Sequence, residues 1–323
     1  MRRINFFDFF PPPKFLNIPY SGLSISDTAV RCIQFEKHNA YLRVKKFAER
    51  PLPEGAVISG FINSPDEVVK IIESLKKELN LNYVKVSLPE EKAYLFTTKI
   101  PRVAPKEVRS TIEFTIEENV PLPASELSFN FGIADVGGHG DHVDVIVSAV
   151  PTKIIDTYVE TIQKTGLPLL SLEIESEAMA RALIPKHDTG TRLIVHFGAE
   201  KVGLYIAYRR IVHFTSTIAT TSQPQDDLTI LSHEIKKLYV YWHTLKENLG
   251  DKNKHISQII VCGERVTESI VSQLASEHDT PAVLGNVWTN ACDVTHVIPP
   301  IPFADSLRYA ASVGLALPNN ILI

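Results

Sequence analysis

Gly22-Leu23-Ser24-Ile25-Ser26-Asp27-Thr28-Ala29-Val30 joins one apolar strand to a second through a short polar turn. The same pattern returns in Leu193-Ile194-Val195-His196-Phe197-Gly198-Ala199-Glu200-Lys201-Val202-Gly203-Leu204-Tyr205-Ile206. A hairpin that occurs near the start of each half of a chain predicts two similar lobes with a cleft between them. Two such turns that face each other can hold a phosphate chain through their backbone N–H groups. In both copies the strand before the turn lacks the carboxylate that would hold a metal ion or orient a water molecule.

The composition is that of a soluble globular protein. With 323 residues, of which 44% are hydrophobic and 22% charged, the chain is long enough to bury two cores. Its net charge of −4 gives no support for nucleic-acid binding, so we expect no nucleic-acid partner. Cys32, Cys262 and Cys292 are widely spaced and odd in number, which favours reduced thiols in a cytosolic protein over disulfides or a zinc site.

The first residues, Met1-Arg2-Arg3-Ile4-Asn5-Phe6-Phe7-Asp8-Phe9-Phe10-Pro11-Pro12-Pro13, combine basic, aromatic and proline residues. The segment begins like a signal peptide, but its apolar part is short, is interrupted by Asp8 and ends in prolines rather than at a small-residue cleavage site. Elsewhere no apolar run is long enough to span a membrane. Three interpretations of the segment stay open: it folds back onto its own domain, it inserts shallowly at a membrane surface, or it docks in a groove.

The order of apolar and turn-forming segments predicts an α/β protein in which each lobe runs hairpin, strand, helix, strand. A compact α+β module of strand, helix, two strands and helix interrupts the first lobe, and a polar stretch at residues 186–191 separates the lobes. We therefore predict an N-terminal tail (1–19), a first lobe (20–89 and 168–188), the inserted module (90–167), a second lobe (189–318) and a C-terminal tail (319–323).

Several short segments resemble one family, in a consistent order over about residues 13–318. They are Pro13-Lys14-Phe15-Leu16, Leu52-Pro53-Glu54-Gly55-Ala56-Val57, Ser87-Leu88-Pro89 with Lys99-Ile100-Pro101, Glu117-Glu118-Asn119-Val120-Pro121 and Ala304-Asp305-Ser306-Leu307-Arg308-Tyr309-Ala310-Ala311-Ser312-Val313-Gly314-Leu315-Ala316-Leu317. With the two hairpins, they resemble the PilM family of type IV pilus assembly proteins and, more distantly, the division protein FtsA. The resemblance implies a two-lobed actin-like ATPase fold with a small α+β subdomain inserted in the first lobe.

The resemblance also implies where a nucleotide would bind. The family's two phosphate turns usually contain Asp-Ile-Gly, whereas this chain has Ser24 and His196 in place of the two acids and Ser26 in place of the first glycine. The nucleotide-binding positions carried over from the family are Ser24, Ser26, Asp27, Thr28, His196, Gly198, Glu200, Glu234, Lys237, Gly263 and Glu264. No residue is assigned a catalytic or metal-binding role.

The loss of both acids bears on catalysis. Mg²⁺ prefers carboxylate and water oxygens, and hydrolysis needs a group that orients water at the γ-phosphate. The replacements therefore favour a cleft that does not hydrolyse ATP, while binding of ATP with Mg²⁺ without turnover stays open. His196 has two interpretations, a neutral core histidine or a positive donor to phosphate. His139, Asp141, His142 and Asp144 likewise form either an exposed hairpin tip or a metal cluster.

The resemblance implies an assembly adaptor. PilM-like proteins are cytoplasmic, lie under the inner membrane and hold the N-terminal peptide of the membrane protein PilN between the inserted subdomain and the first lobe. The same partner class is expected here, with other pilus platform or motor components and with membrane contact mainly through partners. The alternatives are an actin-fold ATPase or kinase with nucleotide turnover and an FtsA-like filament former. Arg3-Ile4-Asn5-Phe6-Phe7 is an aromatic analogue of such partner peptides, so the tail is a candidate competitor for the groove.

Overall fold

The computed structural model describes residues 18–38, 41–133, 141–220, 224–246, 248–292 and 296–318. The expectations for the phenylalanine-rich segment and for His139 concern residues outside these ranges. The strands are β1 (Ser21–Ile25), β2 (Ala29–His38), β3 (Tyr41–Pro51), β4 (Val57–Ile58), β5 (Phe61–Ile62), β6 (Val84–Leu88), β7 (Tyr94–Pro101), β8 (Leu127–Ile133), β9 (His142–Pro151), β10 (Leu169–Ile174), β11 (Thr191–Phe197), β12 (Lys201–Tyr208), β13 (Ile211–Ala219), β14 (Ile256–Gly263) and β15 (Ala282–Leu284).

The helices are α1 (Pro65–Leu79), α2 (Val108–Asn119), α3 (Thr152–Lys164), α4 (Glu175–Leu183), α5 (Pro224–Thr244), α6 (Glu268–His278), α7 (Phe303–Ser306) and α8 (Ala310–Ala316). Within the described ranges, none of them is both long and apolar enough to cross a membrane.

Two sheets repeat one topology. The first has the strand order β10-β6-β1-β2-β3, and the second has the order β15-β14-β11-β12-β13. In each sheet the hairpin and its third strand are antiparallel because short turns connect them. β6 and β14 instead pair parallel to the first hairpin strand, since α1 and α5 carry the chain back across the sheet. The two predicted hairpins therefore occupy equivalent places in the two lobes.

The inserted module contains a three-stranded antiparallel sheet with the order β7-β9-β8. One face of this sheet packs on α2, where Ile112 and Ile116 meet Val145 and Val147 in a small core. Successive side chains of a strand point to opposite faces, so Ile146 and its neighbours on that side of β9 form the other face. That second face is turned toward the two lobes.

Two helices pack on a different unit from the one with which their position in the chain groups them. Helix α3, grouped with the inserted module from the sequence, buries Ile154, Tyr158 and Ile162 in the core of the first lobe beside α1. Helix α8, grouped with the second lobe, lies against β1 of the first lobe. Gly22 permits this contact, because a Cβ at that position would lie 2.0 Å from the carbonyl oxygen of Ser312. An apolar helix face looks the same in sequence whichever unit it covers.

Helices α4 and α8 also join the lobes. Met179 of α4 and Val313 of α8 share one apolar core with Ile194 and Ile260 of the second sheet and with Trp288. The lobes are thus connected by a continuous core beneath the cleft, and the two hairpin turns meet above it.

Candidate functional site

The two hairpin turns face a common cavity between the lobes. In the first turn the hydroxyl of Ser26 donates to the carbonyl oxygen of Ala29 and accepts from its amide nitrogen, both at 3.1 Å. In the second turn the N–H of Gly198 donates to the carbonyl oxygen of Lys201 at 2.8 Å. The structure brings together most of the residues predicted for the nucleotide site, since this cavity is lined by Ser24, Ser26, Asp27, Thr28, His196, Gly198, Glu200 and Glu264.

Gly263 lies at the edge of the same region, although it does not line the cavity. It ends β14 opposite Phe197 of β11 and has a φ of 120°. A Cβ there would lie 2.1 Å from the carbonyl oxygen of Phe197, so a glycine is required where β14 passes the second turn.

The residues that replace the two family acids are integrated into the protein. The Ser24 hydroxyl is buried and lies 3.0 Å from the hydroxyl of Ser312 in α8. At His196, burial and the positive charges of Lys201 and Arg31 lower the pKa to about 3. The imidazole is therefore neutral at physiological pH, which favours the neutral interpretation over a positive donor to phosphate.

Lys201 reaches across the cleft from β12 into a group of first-lobe carboxylates. Its ammonium pairs with Glu91 and lies 3.7 Å from Oδ2 of Asp27, whose Oδ1 accepts the N–H of Gly60 at 2.9 Å. The Lys201 side chain is only 18% exposed, so solvent screens these interactions weakly. Burial lowers the pKa of Lys201, but the charges of Glu175, Glu91 and Asp27 outweigh burial and raise it overall. A charge from the protein itself therefore neutralises the cleft carboxylates.

A second group of charges joins the lobes through Arg31 of β2. Its Nη2 lies 2.9 Å from Oε1 of Glu49 in the first lobe and 2.5 Å from Oε1 of Glu264 in the second. Arg308, which precedes α8, adds a contact of 3.5 Å to Glu49. Only 5% of the Arg31 side chain is exposed, so this group is also weakly screened. Glu264, a predicted nucleotide contact, thus serves as one half of an ion pair between the lobes.

The space that remains between the turns is small. The cavity measures about 20 Å³, enough for about one water molecule, whereas small-ligand pockets commonly measure about 300–1,000 Å³. Asp27 and Glu264, which could otherwise face a metal ion, are already paired with Lys201 and Arg31. The residues present therefore do not fit a nucleotide with Mg²⁺ at this spacing of the lobes.

Three carboxyl groups of the cleft region were missed in the sequence, because they lie outside both hairpins. Glu90 and Glu91 follow β6, and Glu175 opens α4 directly after β10. Burial raises the pKa of Glu175 to about 7, opposed by the charge of Lys201 and assisted by that of Glu91. Burial likewise raises the pKa of Glu90 to about 7. A usable signal was present, since functional side chains in α/β sheets gather at the carboxyl ends of parallel strands such as β6 and β10.

Replacement of Glu90 by glutamine is expected to stabilise the protein above pH 7. The folded state holds the Glu90 proton up to about pH 7, while the unfolded chain releases it near pH 4.5, so wild-type stability falls as the pH rises through this window. We expect the variant to gain about 2–3 kcal/mol in the free energy of unfolding at pH 8 and less than about 1 kcal/mol at pH 5. Urea unfolding at both pH values measures this difference. Glu73→Gln on the exposed side of α1 is the control, and an equal effect of Glu90→Gln at both pH values would contradict the prediction.

Glu234 and Lys237 lie apart from the cleft. They pair with each other at 2.7 Å on α5 and line a separate surface cavity beside Phe214 and Tyr241. Their contact with a nucleotide stays a prediction, and the structure places them in a different cavity from the two turns. The reason is the packing of α5, whose apolar face, including Leu238, covers the second sheet and leaves both charged residues at the side of the helix.

A wider cavity lies where the inserted module meets the two lobes, and we call it the insertion groove. It measures about 320 Å³ and lies between strand β8, helix α4 and the β12–β13 turn. Within the described ranges, β8 pairs with β9 on one side only, so its other edge has backbone groups available for a further strand. The groove is lined by Asn130, Phe131, Gly132, Ile146, Ser148, Glu177, Arg181, Arg209, Arg210, Ile211 and Val212.

A third cavity, of about 600 Å³, lies between β7 and α5. Its lining includes the aromatic side chains of Phe96, Tyr208 and Trp242, and Arg209 borders both this cavity and the insertion groove. Both of these cavities border the inserted module, and both are larger than the space between the hairpin turns.

Comparison with known proteins agrees with this architecture. The family model described as type IV pilus assembly protein PilM matches residues 22–212, which is more than half of the chain. A solved structure of a PilM-PilN type IV pilus biogenesis complex superposes with a TM-score of 0.80, covering 93% of this chain and 98% of that chain at 16% identity. The ethanolamine utilization protein EutJ from Carboxydothermus hydrogenoformans gives a TM-score of 0.51, covering 95% and 90% at 12% identity. These likenesses confirm the predicted fold class, the actin-like ATPase fold.

Proposed function

The chain belongs to the PilM family of type IV pilus assembly proteins, and on that premise we propose that it is an adaptor that binds the N-terminal peptide of a PilN-like membrane protein in the insertion groove. The observation that carries the proposal is the edge of β8, unpaired among the described residues, beside a groove of about 320 Å³ that can accept an extended peptide, whereas the space between the hairpin turns measures about 20 Å³. The similar solved structure is a PilM-PilN complex, which supports this class of partner.

The groove suits an extended peptide. The free edge of β8 offers backbone N–H and C=O groups to an added strand, while the groove behind it accepts every second side chain. Ile146 and Val212 provide apolar contacts, and Asn130 and Ser148 provide hydrogen-bonding groups on the same wall. Backbone pairing would supply affinity and these side chains would supply selectivity.

In this proposal the cleft between the lobes is a structural element without nucleotide turnover. The Lys201 and Arg31 groups hold the lobes at a spacing that keeps the groove in shape, in place of a bound nucleotide. The protein would then act in the cytoplasm at the inner membrane, reaching the membrane and the other platform or motor components through its partners.

Peptide titration tests the proposal. A fluorescent peptide with the N-terminal sequence of a PilN-like protein is titrated against wild type, Asn130→Trp and Glu113→Trp, with anisotropy as the readout. Asn130 is exposed at the groove, whereas Glu113 is exposed on α2 away from it. We expect Asn130→Trp to weaken binding by at least about tenfold and Glu113→Trp to leave it unchanged. Equal binding by both variants would overturn the groove assignment, and steady phosphate release from Mg·ATP would overturn the absence of turnover.

A further inference from the structure

The β12–β13 turn at the insertion groove has an unusual backbone. Tyr208 and Ile211 pair across the hairpin, and the two residues between them, Arg209 and Arg210, have φ values of 49° and 69°. Such turns normally contain glycine or asparagine, because a left-handed backbone costs other residues about 1–2 kcal/mol each. Glycine at these two positions would remove the strain. The presence of arginine instead indicates a functional role for the two side chains.

The described residues balance the charge of this turn only in part. The Nε atom of Arg210 is buried without a hydrogen-bond partner, and burial together with the charge of Arg181 lowers the pKa of Arg210, against a smaller opposing effect of Asp188. Asp188 is shared with Arg192, whose guanidinium lies 2.8 Å from its carboxylate. A half-buried guanidinium with an unsatisfied N–H group and a shared counter-charge costs free energy that a bound carboxylate would recover.

Glu177 is the acidic side chain among the groove residues. It accepts a hydrogen bond from the Ser148 hydroxyl at 2.9 Å, and burial raises its pKa, assisted by Glu173. The charge of Arg181, which also lines the groove, opposes this shift and offsets part of the negative charge of Glu177. With Ile146, Ile211 and the two arginines, the groove offers a positive turn beside an apolar wall.

We propose that the Arg209–Arg210 turn binds a carboxylate flanked by apolar side chains, and that the occupant is Asp8 of this chain's own residues 1–17. Asp8 is the one acid in that segment, and Phe6-Phe7 and Phe9-Phe10 flank it. The guanidinium groups would form charged hydrogen bonds with the carboxylate, and the phenylalanine rings would pack on the apolar wall of the groove.

The segment starts within reach of this site. The described chain begins at Ile18, and the hydroxyl of Tyr20 donates to the carbonyl oxygen of Leu317 at 3.1 Å. The carbonyl oxygen of Gly314, in the preceding turn of the same helical segment, accepts from Arg181, which lines the groove. Ten extended residues from Ile18 back to Asp8 span up to about 33 Å. Binding of Asp8 at the Arg209–Arg210 turn is inferred from this geometry alone. Competition between residues 1–17 and the partner peptide rests in addition on the proposed function.

A synthetic peptide of residues 1–17 tests the site without any partner. It is titrated against the chain that begins at residue 18, in wild-type form, as the double variant Arg209→Gly/Arg210→Gly, and as Arg43→Gln, an exposed position on β3. We expect the double variant to melt at the same or a higher temperature, because glycine relieves the strained turn, and to bind the peptide at least about tenfold more weakly. An Asp8→Asn peptide should lose as much affinity, and Arg43→Gln should lose none.

Two results would overturn the proposal: equal binding by the wild-type and Asp8→Asn peptides, or equal binding by the wild-type chain and the glycine variant. Competition is measured separately, as the affinity of the full chain and of the chain from residue 18 for the PilN-type peptide. We expect removal of residues 1–17 to strengthen that binding several-fold. Equal affinities would refute competition in the groove and leave the partner's own binding intact, so the two proposals fail on different readouts.

Discussion

Lys201→Met is expected to lower the free energy of unfolding by about 3–5 kcal/mol at pH 8. The substitution keeps the length of the side chain but removes the ammonium that pairs with Glu91 and faces Asp27 and Glu175. These carboxyl groups would stay in the cleft without their cation. Removal of one partner of a buried ion pair is strongly destabilising, because the other charge stays buried and unpaired. Urea unfolding at pH 8 measures the loss.

The dependence of this loss on pH follows from the same contacts. The pKa of Lys201 is raised in the folded state, so its stabilising contribution is complete below its unfolded value of 10.5 and is lost only as the pH rises beyond it. In Lys201→Met the carboxyl group of Glu175 loses the positive charge that lowers its pKa, so it takes up a proton more readily and the destabilisation should shrink at pH 5. Lys237→Met, which breaks an exposed pair with Glu234, is the matched control and should cost at most about 0.5 kcal/mol. A similar cost in both variants, or no change with pH, would contradict the assignment.

Arg31→Met should cost about 2–4 kcal/mol and should loosen the contact between the lobes. Arg31 pairs with a carboxylate in each lobe, Glu49 and Glu264, and the substitution leaves both without their shared partner. The value is set below that for Lys201 because Glu49 and Glu264 are 27% and 20% exposed and are partly solvated. Thermal unfolding measures the cost, and hydrogen exchange in the two hairpin turns reports on the lobe contact.

A double-mutant cycle separates the two functions of Arg31. Its coupling with Glu264 acts between lobes and its coupling with Glu49 acts within one lobe, so Glu264→Gln and Glu49→Gln are each combined with Arg31→Met. Faster exchange in the turns should accompany loss of the Glu264 coupling and not loss of the Glu49 coupling. Arg43→Met, which breaks a solvent-exposed pair with Glu36, is the control and should change neither quantity. Unchanged exchange in Arg31→Met would rule out a contribution of this pair to lobe contact.

Much of the architecture could be predicted along the chain, since it depends on local patterns. The repeated hairpin predicted two lobes, and the structure has two sheets of the same strand order. The replacements Ser24 and His196 were visible in the sequence and lie in the shared cavity. The sheet on which α3 and α8 pack could not be predicted, because the sequence of an amphipathic or small-residue helix does not show which sheet the helix will cover.

The candidate site likewise contains residues whose positions the sequence did not predict. Glu234 and Lys237 lie in a separate cavity, because the direction of a helical side chain depends on which face of the helix is buried. Three carboxyl groups of the cleft region follow the ends of two different strands, those of Glu90, Glu91 and Glu175. No short motif contains them together, so the sequence did not show that they would meet.

The sequence by itself determined the two-lobed fold, the family and the loss of both cleft acids, because strand patterns, turns and residue identities are local properties. Only the tertiary structure decided which charged side chains meet in the cleft. Lys201 and Arg31 each neutralise carboxylates that come from distant segments, and such pairs exist only when the lobes meet. The strength of those pairs depends on burial, which arises from packing and not from the order of residues. The same packing leaves the insertion groove open.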